Sequence, residues 1–387
     1  MKLLKISVSG LQLFNDICEI DFWASQRVSA NNIDKMNCLF SNSVQKFYQN
    51  NAVFFIGINA SGKTTILKLI IFVCQMLNNE SINNISYSEI LDGVNDGNEV
   101  VFNVYFYSEN ETINMLHTVI TKKGEKLFIK DEYLKSKPSN KVRSKSDMLC
   151  FDECETAIAR DNDDIFLLDD VSIMVAFNKK NKDRIVFMDM LKYTNINELS
   201  ISEDCPAEVI AFFDPSIEYL HINKSRKDTN IQLKFKNGKE IILNKTSDLN
   251  RYLSSGTVKG INIFWQAIKT FEKGGYLIVD EIENHFNHEI VSTIIRFYMD
   301  KKINPHGAMI IFSTHYAELL DEFDRNDCIY IVRNNGGINA ESLSSILKRN
   351  DIKKSEAYES GFLGGTTPMY ESYMNLKKLI RSRKEGM

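Results

Sequence analysis

The strongest constraint on the fold is the stretch 53–70, in which an apolar run leads into a glycine loop and then into apolar residues at helical spacing. The loop reads Gly57-Ile58-Asn59-Ala60-Ser61-Gly62-Lys63-Thr64, which fits the pattern G-x-x-x-x-G-K-[ST]. The two glycines allow backbone angles that turn several N–H groups inward, and the following helix adds the positive end of its dipole. The stretch therefore predicts a strand, a polyphosphate-binding loop and a helix. The alternative is an ordinary strand-turn-helix connection with a surface lysine.

The residue types of the loop indicate how it would hold a nucleotide. Lys63 is placed to reach the β- and γ-phosphates, and the Thr64 hydroxyl is placed to coordinate Mg²⁺. Most other contacts would come from backbone N–H groups. The predicted nucleotide-binding residues of this loop are Gly57, Asn59, Ala60, Ser61, Gly62, Lys63, Thr64 and Thr65.

A second apolar run, residues 276–279, ends in two acids, Asp280 and Glu281. This pattern is typical of a buried parallel strand that presents carboxylates at its carboxyl end. Catalysis of phosphoryl transfer depends mainly on positioning and on charge stabilisation. We therefore predict that Asp280 holds Mg²⁺ through its water shell and that Glu281 orients and polarises the attacking water. The acidic strand is a weak signal alone and a strong one beside the glycine loop.

Two further segments flank the acidic strand. Leu253-Ser254-Ser255-Gly256-Thr257 precedes apolar residues at helical spacing, so it offers N–H groups and hydroxyls at a helix N-terminus. It is either a second phosphate-binding loop or a plain helix cap. The apolar run 308–312 ends in Ser313-Thr314-His315, and the His315 imidazole is placed to contact a γ-phosphate and sense its loss. The alternative for His315 is a structural role.

The order of these segments resembles that of the ABC-type ATPases of the SMC and OLD-like branch, often described as AAA-family ATP-binding proteins. By this resemblance residues 57–64 correspond to Walker A, 253–257 to the signature loop and 276–281 to Walker B, and His315 corresponds to the switch histidine. Residues 280–284, which read D-E-I-E-N, are similar to the D-E-x-E-N sequence that follows Walker B in that family. The signature reads Ser-Ser-Gly-Thr where transporters have Ser-Gly-Gly-Gln, and no glutamine can be assigned to a Q-loop.

The resemblance implies an α/β fold of the P-loop NTPase class and ABC-ATPase type, with a mixed central sheet, an antiparallel β lobe and a helical insertion. It also implies an ATP- and Mg²⁺-dependent homodimer, or a multiple of dimers, in which two subunits sandwich two nucleotides. The signature residues that would complete the site of the other subunit are Ser254, Ser255 and Gly256. The residues that would act in hydrolysis are Lys63, Glu281 and His315, with Thr64 and Asp280 at the metal.

An ATPase of this size is expected to control another activity. The resemblance, which extends to the C-terminal residues 346–387 and their basic helix 370–383, is to standalone ATPases of bacterial antiphage defence. It implies a sensor that regulates a separate effector, such as a TOPRIM or HNH nuclease. The alternative is a DNA-binding ATPase of RecF/SMC type, for which the basic residues 135–145 are the candidate contact. A membrane transporter subunit is a third possibility, which the signature loop and the D-E-I-E-N sequence disfavour.

Composition narrows the class of protein. The 387 residues are 43% hydrophobic and 25% charged, which is typical of a globular protein. The net charge of −4 gives no general attraction to nucleic acid or to anionic membranes, so a nucleic-acid site would have to be a local patch. The chain has no apolar run of about 18 residues and no signal-peptide pattern. Its seven scattered cysteines fit reduced thiols, so we expect a cytoplasmic protein.

The motifs divide the chain into four predicted parts. Residues 1–77 hold the N-terminal strands and the Walker A half, and residues 246–335 hold the signature helix, Walker B and the switch histidine. Between them, residues 78–245 are predicted to form an antiparallel β lobe, from runs at 99–107, 112–121 and 126–130, together with a helical insertion in the charged stretch 135–192. Further predictions are an N-terminal hairpin of 3–8 and 18–23, a helical turn at 43–48, a hairpin around Asn237-Gly238, and a C-terminal extension, 336–387.

Overall fold

Two six-stranded sheets with one buried helix between them form the centre of the computed structural model, which describes residues 1–161, 167–199, 204–224, 229–284, 286–348, 352–366 and 370–384. The strands are β1 (Lys2–Ser9), β2 (Cys18–Asp21), β3 (Cys38–Ser41), β4 (Lys46–Tyr48), β5 (Ala52–Ile56), β6 (Glu99–Tyr107), β7 (Thr112–Lys123), β8 (Lys126–Pro138), β9 (Thr156–Ala159), β10 (Phe187–Asp189), β11 (Ile217–Lys224), β12 (Thr229–Phe235), β13 (Glu240–Leu243), β14 (Tyr276–Val279), β15 (Met309–Thr314), β16 (Ile329–Asn334) and β17 (Ile338–Ser342). The helices are α1 (Lys63–Leu77), α2 (Lys145–Leu149), α3 (Met174–Asn181), α4 (Ala207–Phe213), α5 (Ser255–Lys273), α6 (His288–Met299), α7 (Leu343–Ile346), α8 (Lys354–Glu359) and α9 (Tyr370–Lys384).

The central sheet has the order β10-β14-β15-β5-β16-β17, and only β17 runs antiparallel to its neighbour. Strands β5, β14 and β15 are buried along their whole length, as expected for parallel strands covered on both faces. In register, Phe312 of β15 lies between Phe54 of β5 and Val279 of β14. The carboxyl ends of these three strands therefore meet at one edge. The fold is α/β with a mixed central sheet.

The antiparallel sheet has the order β2-β1-β6-β7-β8-β9. It contains the predicted N-terminal hairpin, in which Val8 pairs with Cys18, and the predicted meander β6-β7-β8. The loop of the hairpin reaches the central sheet, where the Ile338 N–H donates to the Leu13 carbonyl at 2.8 Å. The antiparallel sheet thus takes strands from both sides of residue 77, and it is joined to the central sheet by backbone hydrogen bonds.

Helix α1 fills the space between the two sheets. Eleven of its fifteen residues are buried, and all of these except Lys63 belong to the same apolar core as β1, β6 and β14. The ring of Phe72 stacks on that of Phe102 in β6 with centroids 5.6 Å apart. The helix that follows the glycine loop is therefore held on opposite sides by the two sheets.

The charged stretch 135–192 differs from the prediction of a helical insertion. Strand β8 continues to Pro138, the two helices within the stretch have only five and eight residues, and β10 joins the edge of the central sheet. Several charged side chains of this stretch bind backbone carbonyls, among them Lys135, Lys137 and Lys145. The Lys145 ammonium donates to the carbonyls of Ala24, Ser25 and Gln26 at 2.8–2.9 Å.

The predicted helical turn at 43–48 is also wrong, because residues 46–48 form β4, which pairs with β3. Phe47 is buried, and its ring stacks on Phe40 at 4.4 Å. Packing of these two rings against the antiparallel sheet outweighs local preference.

A third sheet, β11-β12-β13, has its own apolar core with α4 and the start of α5. It confirms the predicted hairpin around Asn237-Gly238 and adds β11, which the sequence analysis did not identify. Gly260 of α5 allows the ring of Phe213 to approach, since a Cβ at this position would lie 2.2 Å from that ring.

The described side chains of the C-terminal helix α9 are exposed, including Tyr370, Leu376 and Ile380, except that Met374 is half-buried. Helix α9 confirms the predicted helix at 370–383. Within the described parts of the chain, no helix is both long enough and apolar enough to cross a bilayer.

Candidate functional site

The glycine loop follows β5 at the carboxyl edge of the central sheet. Gly62 has φ +102°, and Ala60 also adopts a left-handed backbone with φ +61°. A Cβ at Gly62 would lie 2.5 Å from Ile338 Cγ1, and one at Gly57 would lie 2.3 Å from the Val332 carbonyl. Only glycine fits these two positions without displacing β16 or β17. A loop with such alternating backbone angles directs successive N–H groups toward one point, which favours an anion.

Lys63 begins α1 and folds back over the loop. Its ammonium donates to the carbonyls of Gly57 at 2.9 Å and Ile58 at 3.1 Å, and the residue is only 6% exposed. Burial lowers the pKa of Lys63, while the negative charges of Asp280, Glu281 and Glu283 act in the opposite direction. The ammonium thus lies in the loop, beside the carboxylates that end β14.

Thr64 and Asp280, the two predicted metal ligands, are in direct contact. The Thr64 hydroxyl donates to Asp280 Oδ2 at 2.8 Å, and the Ser313 hydroxyl donates to Asp280 Oδ1. Ser313 also accepts the Glu281 N–H at 2.7 Å. One hydroxyl at the end of β15 therefore fixes both acids that follow β14.

Glu281 and His315, which with Lys63 are the predicted catalytic residues, lie close to each other. Glu281 Oε1 lies 3.7 Å from His315 Nε2, and the Glu281 side chain is 41% exposed. His315 Nδ1 lies 3.5 Å from the Lys63 ammonium. The backbone of Glu281 is left-handed, with φ +46°, which is an unfavourable conformation for a residue with a side chain. Glu281 is thus held in a strained conformation with its carboxylate accessible.

A cleft of about 440 Å³ opens over these groups. Its lining includes most of the predicted site, and it adds three residues, Leu13, Asn334 and Ile338. The predicted residues that line it are Asn59, Ala60, Ser61, Gly62, Lys63, Thr64, Thr65, Glu281 and His315. Gly57 and Asp280 contact these residues through Lys63 and Thr64.

The serine-glycine loop does not take part in this cleft. Ser254, Ser255 and Gly256 are not among the residues that line it. The Ser254 hydroxyl accepts the Thr257 N–H at 3.0 Å and so caps the nineteen-residue helix α5. The loop therefore has the geometry of a helix cap, and its phosphate-binding role stays a prediction.

The donors around Thr64 and Asp280 fit a hard cation such as Mg²⁺. A magnesium ion bound with a nucleotide usually takes one or two protein oxygens and completes its shell with phosphates and water. Thr64 supplies a hydroxyl and Asp280 a carboxylate at one point. In the same loop, the buried hydroxyl oxygen of Ser61 has no hydrogen-bond partner in the part of the chain that the structure describes. Among the described residues, no group of three or more His, Cys, Asp or Glu side chains could hold a metal by itself.

Besides the three added residues of the cleft lining, three side chains that contact the site were not among the predicted site residues. Ser313 fixes the two acids, Glu283 accepts the His315 N–H through Oε1, and the Lys259 ammonium donates to the Glu281 carbonyl at 3.5 Å. The second glutamate of D-E-I-E-N was a usable signal for Glu283. No sequence signal indicated Lys259, because a lysine in an amphipathic helix ordinarily points to solvent.

A further acid, Asp189, ends β10 beside β14. In register it pairs with Ile278, two residues before Asp280, and its Oδ2 accepts the Tyr87 hydroxyl at 3.0 Å. Burial and the charge of Asp189 raise the pKa of Tyr87. Asp189 is thus a third acid following a parallel strand at this edge.

Comparison with known proteins adds no assignment. Neither a scan against protein-family models nor a search of curated proteins matches this chain.

Proposed function

We propose that this chain is an ATP-binding and ATP-hydrolysing protein of the ABC-ATPase type. The observation that carries the proposal is the convergence of a glycine loop, a Thr64–Asp280 contact and a Glu281–His315 pair in one cleft. The loop suits a polyphosphate, the hydroxyl and carboxylate suit its Mg²⁺, and the remaining pair suits the transfer of the γ-phosphoryl group to water.

In this proposal Lys63 and the loop N–H groups hold the phosphates. The ammonium now bonded to the Gly57 and Ile58 carbonyls would turn to the β- and γ-phosphate oxygens. Thr64 and Asp280 would hold Mg²⁺, which neutralises charge that develops on the phosphates. Glu281 would orient the attacking water and accept its proton, and His315 would bond a γ-phosphate oxygen.

We further propose that two copies of the chain close around two ATP molecules. Support comes from Ser254 and Gly256, which begin a nineteen-residue helix yet lie outside the cleft of their own chain. A helix N-terminus presents N–H groups that favour phosphate oxygens. The loop would bind the γ-phosphate held by the other subunit.

The test is the mass of the Glu281→Gln protein with and without MgATP, measured by light scattering together with ATP binding. This variant keeps the shape of the side chain and lacks the base, so it should retain ATP and double its mass. A Lys63→Met, Glu281→Gln double variant is the control and should stay monomeric. A protein that binds ATP and remains monomeric would remove the role of Ser254 in a second subunit. Failure of wild type and Glu281→Gln to bind ATP would overturn the whole proposal.

For the biological role we propose regulation of a separate effector, such as a nuclease, in antiphage defence. This part rests on the resemblance described above. The alternative, a DNA-binding ATPase, needs free cations in the basic stretch 135–145. The ammonium groups of Lys135, Lys137 and Lys145 instead donate to backbone carbonyls of their own chain, and Lys141 and Arg143 are the exposed cations of the stretch, which weighs against that role. Copurification of an effector protein, as opposed to DNA, with the ATP-trapped protein distinguishes the two.

A further inference from the structure

Lys259 is a buried cation with little hydrogen bonding. It lies in the second turn of α5, is 7% exposed, and its ammonium bonds the Glu281 carbonyl at the long distance of 3.5 Å. The charges of Glu281, Glu283 and Asp280 all act on it. An ammonium has three donors, and a buried one is stable only when they are used. Lys259 therefore lies close to acceptors that it does not fully engage.

Glu283 is a buried anion that, like the buried cation Lys259, is incompletely hydrogen-bonded. It is 7% exposed, and its Oε1 accepts the His315 N–H, while its Oε2 has no hydrogen-bond partner among the described residues. A buried carboxylate oxygen without a donor is costly. The charge of this incompletely bonded anion acts on the incompletely bonded Lys259 cation, although the two form no ion pair among the described contacts, and the strained backbone of Glu281 lies between them in sequence and contact.

We propose that Lys259 is a positioning residue that couples helix α5 to the geometry of Glu281. The inference deepens the proposed function and rests on it. In the arrangement described here the Lys259 ammonium holds the Glu281 carbonyl and so supports the left-handed backbone. In a second arrangement the ammonium bonds Glu283 Oε2, and the Glu281 peptide relaxes.

Helix α5 selects between the two arrangements. Lys259 follows the cap residue Ser254 by five positions, so both residues move when the start of the helix moves. A shift of about 1 Å is enough to change a bond that is already 3.5 Å long, and a misplacement of that size affects catalysis strongly. A phosphate bound at Ser254 therefore sets the direction of the Glu281 carboxylate in the same subunit.

The test compares Lys259→Met with Lys269→Met, a lysine of the same helix whose ammonium lies over the Trp265 ring. Lys259→Met should lower kcat for ATP hydrolysis about tenfold or more and leave KM within about threefold, since Lys259 does not line the cleft. Lys269→Met should leave both unchanged. Lys259→Arg, which keeps a cation, should restore part of kcat.

A second measurement does not depend on hydrolysis. Hydrogen exchange of the nucleotide-free protein over residues 281–284 should be faster in Lys259→Met than in Lys269→Met. The Glu281 carbonyl then keeps only the Asn284 N–H as a donor among the described residues, so the turn that this bond closes should open more often. Normal kcat, or unchanged exchange in this segment, overturns the role of Lys259. Faster exchange in a protein that neither binds nor hydrolyses ATP overturns the proposed function and leaves the positioning role intact.

Discussion

The Ser313 hydroxyl donates to Asp280 Oδ1, so a side chain at the end of β15 fixes the acid at the end of the neighbouring strand. The same hydroxyl accepts the Glu281 N–H. Ser313→Ala would leave a buried carboxylate oxygen and a backbone N–H without this partner, which costs about 1–3 kcal/mol. We expect a loss of that size in the free energy of unfolding, measured by urea denaturation, together with a lower kcat.

Ser292→Ala is the control for that variant. Ser292 is also fully buried, but among the described residues its hydroxyl makes one long contact, 3.4 Å from His288 Nδ1. It should lose less stability and keep full ATPase activity. Equal effects of the two variants would show that Ser313 matters only as a buried serine.

Gly62 should not tolerate a side chain. Gly62→Ala would place a Cβ 2.5 Å from Ile338 in a backbone with φ +102°. Gly336→Ala is the matched control, because Gly336 has φ +82° and no atom within 4 Å of the added Cβ. The control should lose about 1 kcal/mol of stability from its backbone alone. Gly62→Ala should lose more and should also lose ATP binding, measured by calorimetry; a loss no greater than that of Gly336→Ala would contradict the steric argument.

Because of Lys2, the free energy of unfolding should depend on pH in the alkaline range. The Lys2 ammonium donates to the carbonyls of Gly274, His306 and Gly307, and burial lowers the pKa of Lys2 from 10.5 to about 8. Between these values the unfolded chain binds the proton and the folded chain has released it. The free energy of unfolding therefore rises with pH in this window, with a slope of at most about 1.4 kcal/mol per pH unit.

The measurement for Lys2 is denaturation of wild type and Lys2→Gln at pH 7.5 and 9.5. Wild type should gain stability relative to the variant at the higher pH. Parallel changes in the two proteins would mean that the Lys2 ammonium keeps its proton in the folded state.

The Lys145→Met variant tests whether the basic stretch 135–145 binds DNA or stabilises the fold. The Lys145 ammonium donates to the carbonyls of Ala24, Ser25 and Gln26, so Lys145→Met should lower the free energy of unfolding by about 1–3 kcal/mol. Lys141→Met, at an exposed lysine four residues earlier in the chain, should be neutral. Duplex DNA binding, measured by fluorescence anisotropy, should not differ among the three proteins. A loss of DNA affinity in Lys145→Met with unchanged stability would favour the DNA-binding alternative.

The sequence was sufficient to predict the fold and the candidate site where apolar runs and motifs coincide. It predicted strands β5, β14 and β15 and the helix after the glycine loop, and parallel pairing then brings Lys63, Thr64, Asp280, Glu281 and His315 together. It failed at 43–48 and in the charged stretch 135–192, because tertiary contacts of Phe47 and Lys145 decide those conformations. Lys259 was missed for the same reason, since its burial depends on how α5 packs.

The position of α1 between two sheets also limits how the chain can be divided. An excised fragment that carried only the motif-bearing segments would expose the face of α1 that packs on Phe102 and its neighbours. Such a fragment would aggregate or unfold rather than retain a weakened site. The antiparallel sheet is therefore a structural requirement of the glycine loop. During evolution, insertions are expected at the loops of that sheet, and the sheet itself is expected to be kept.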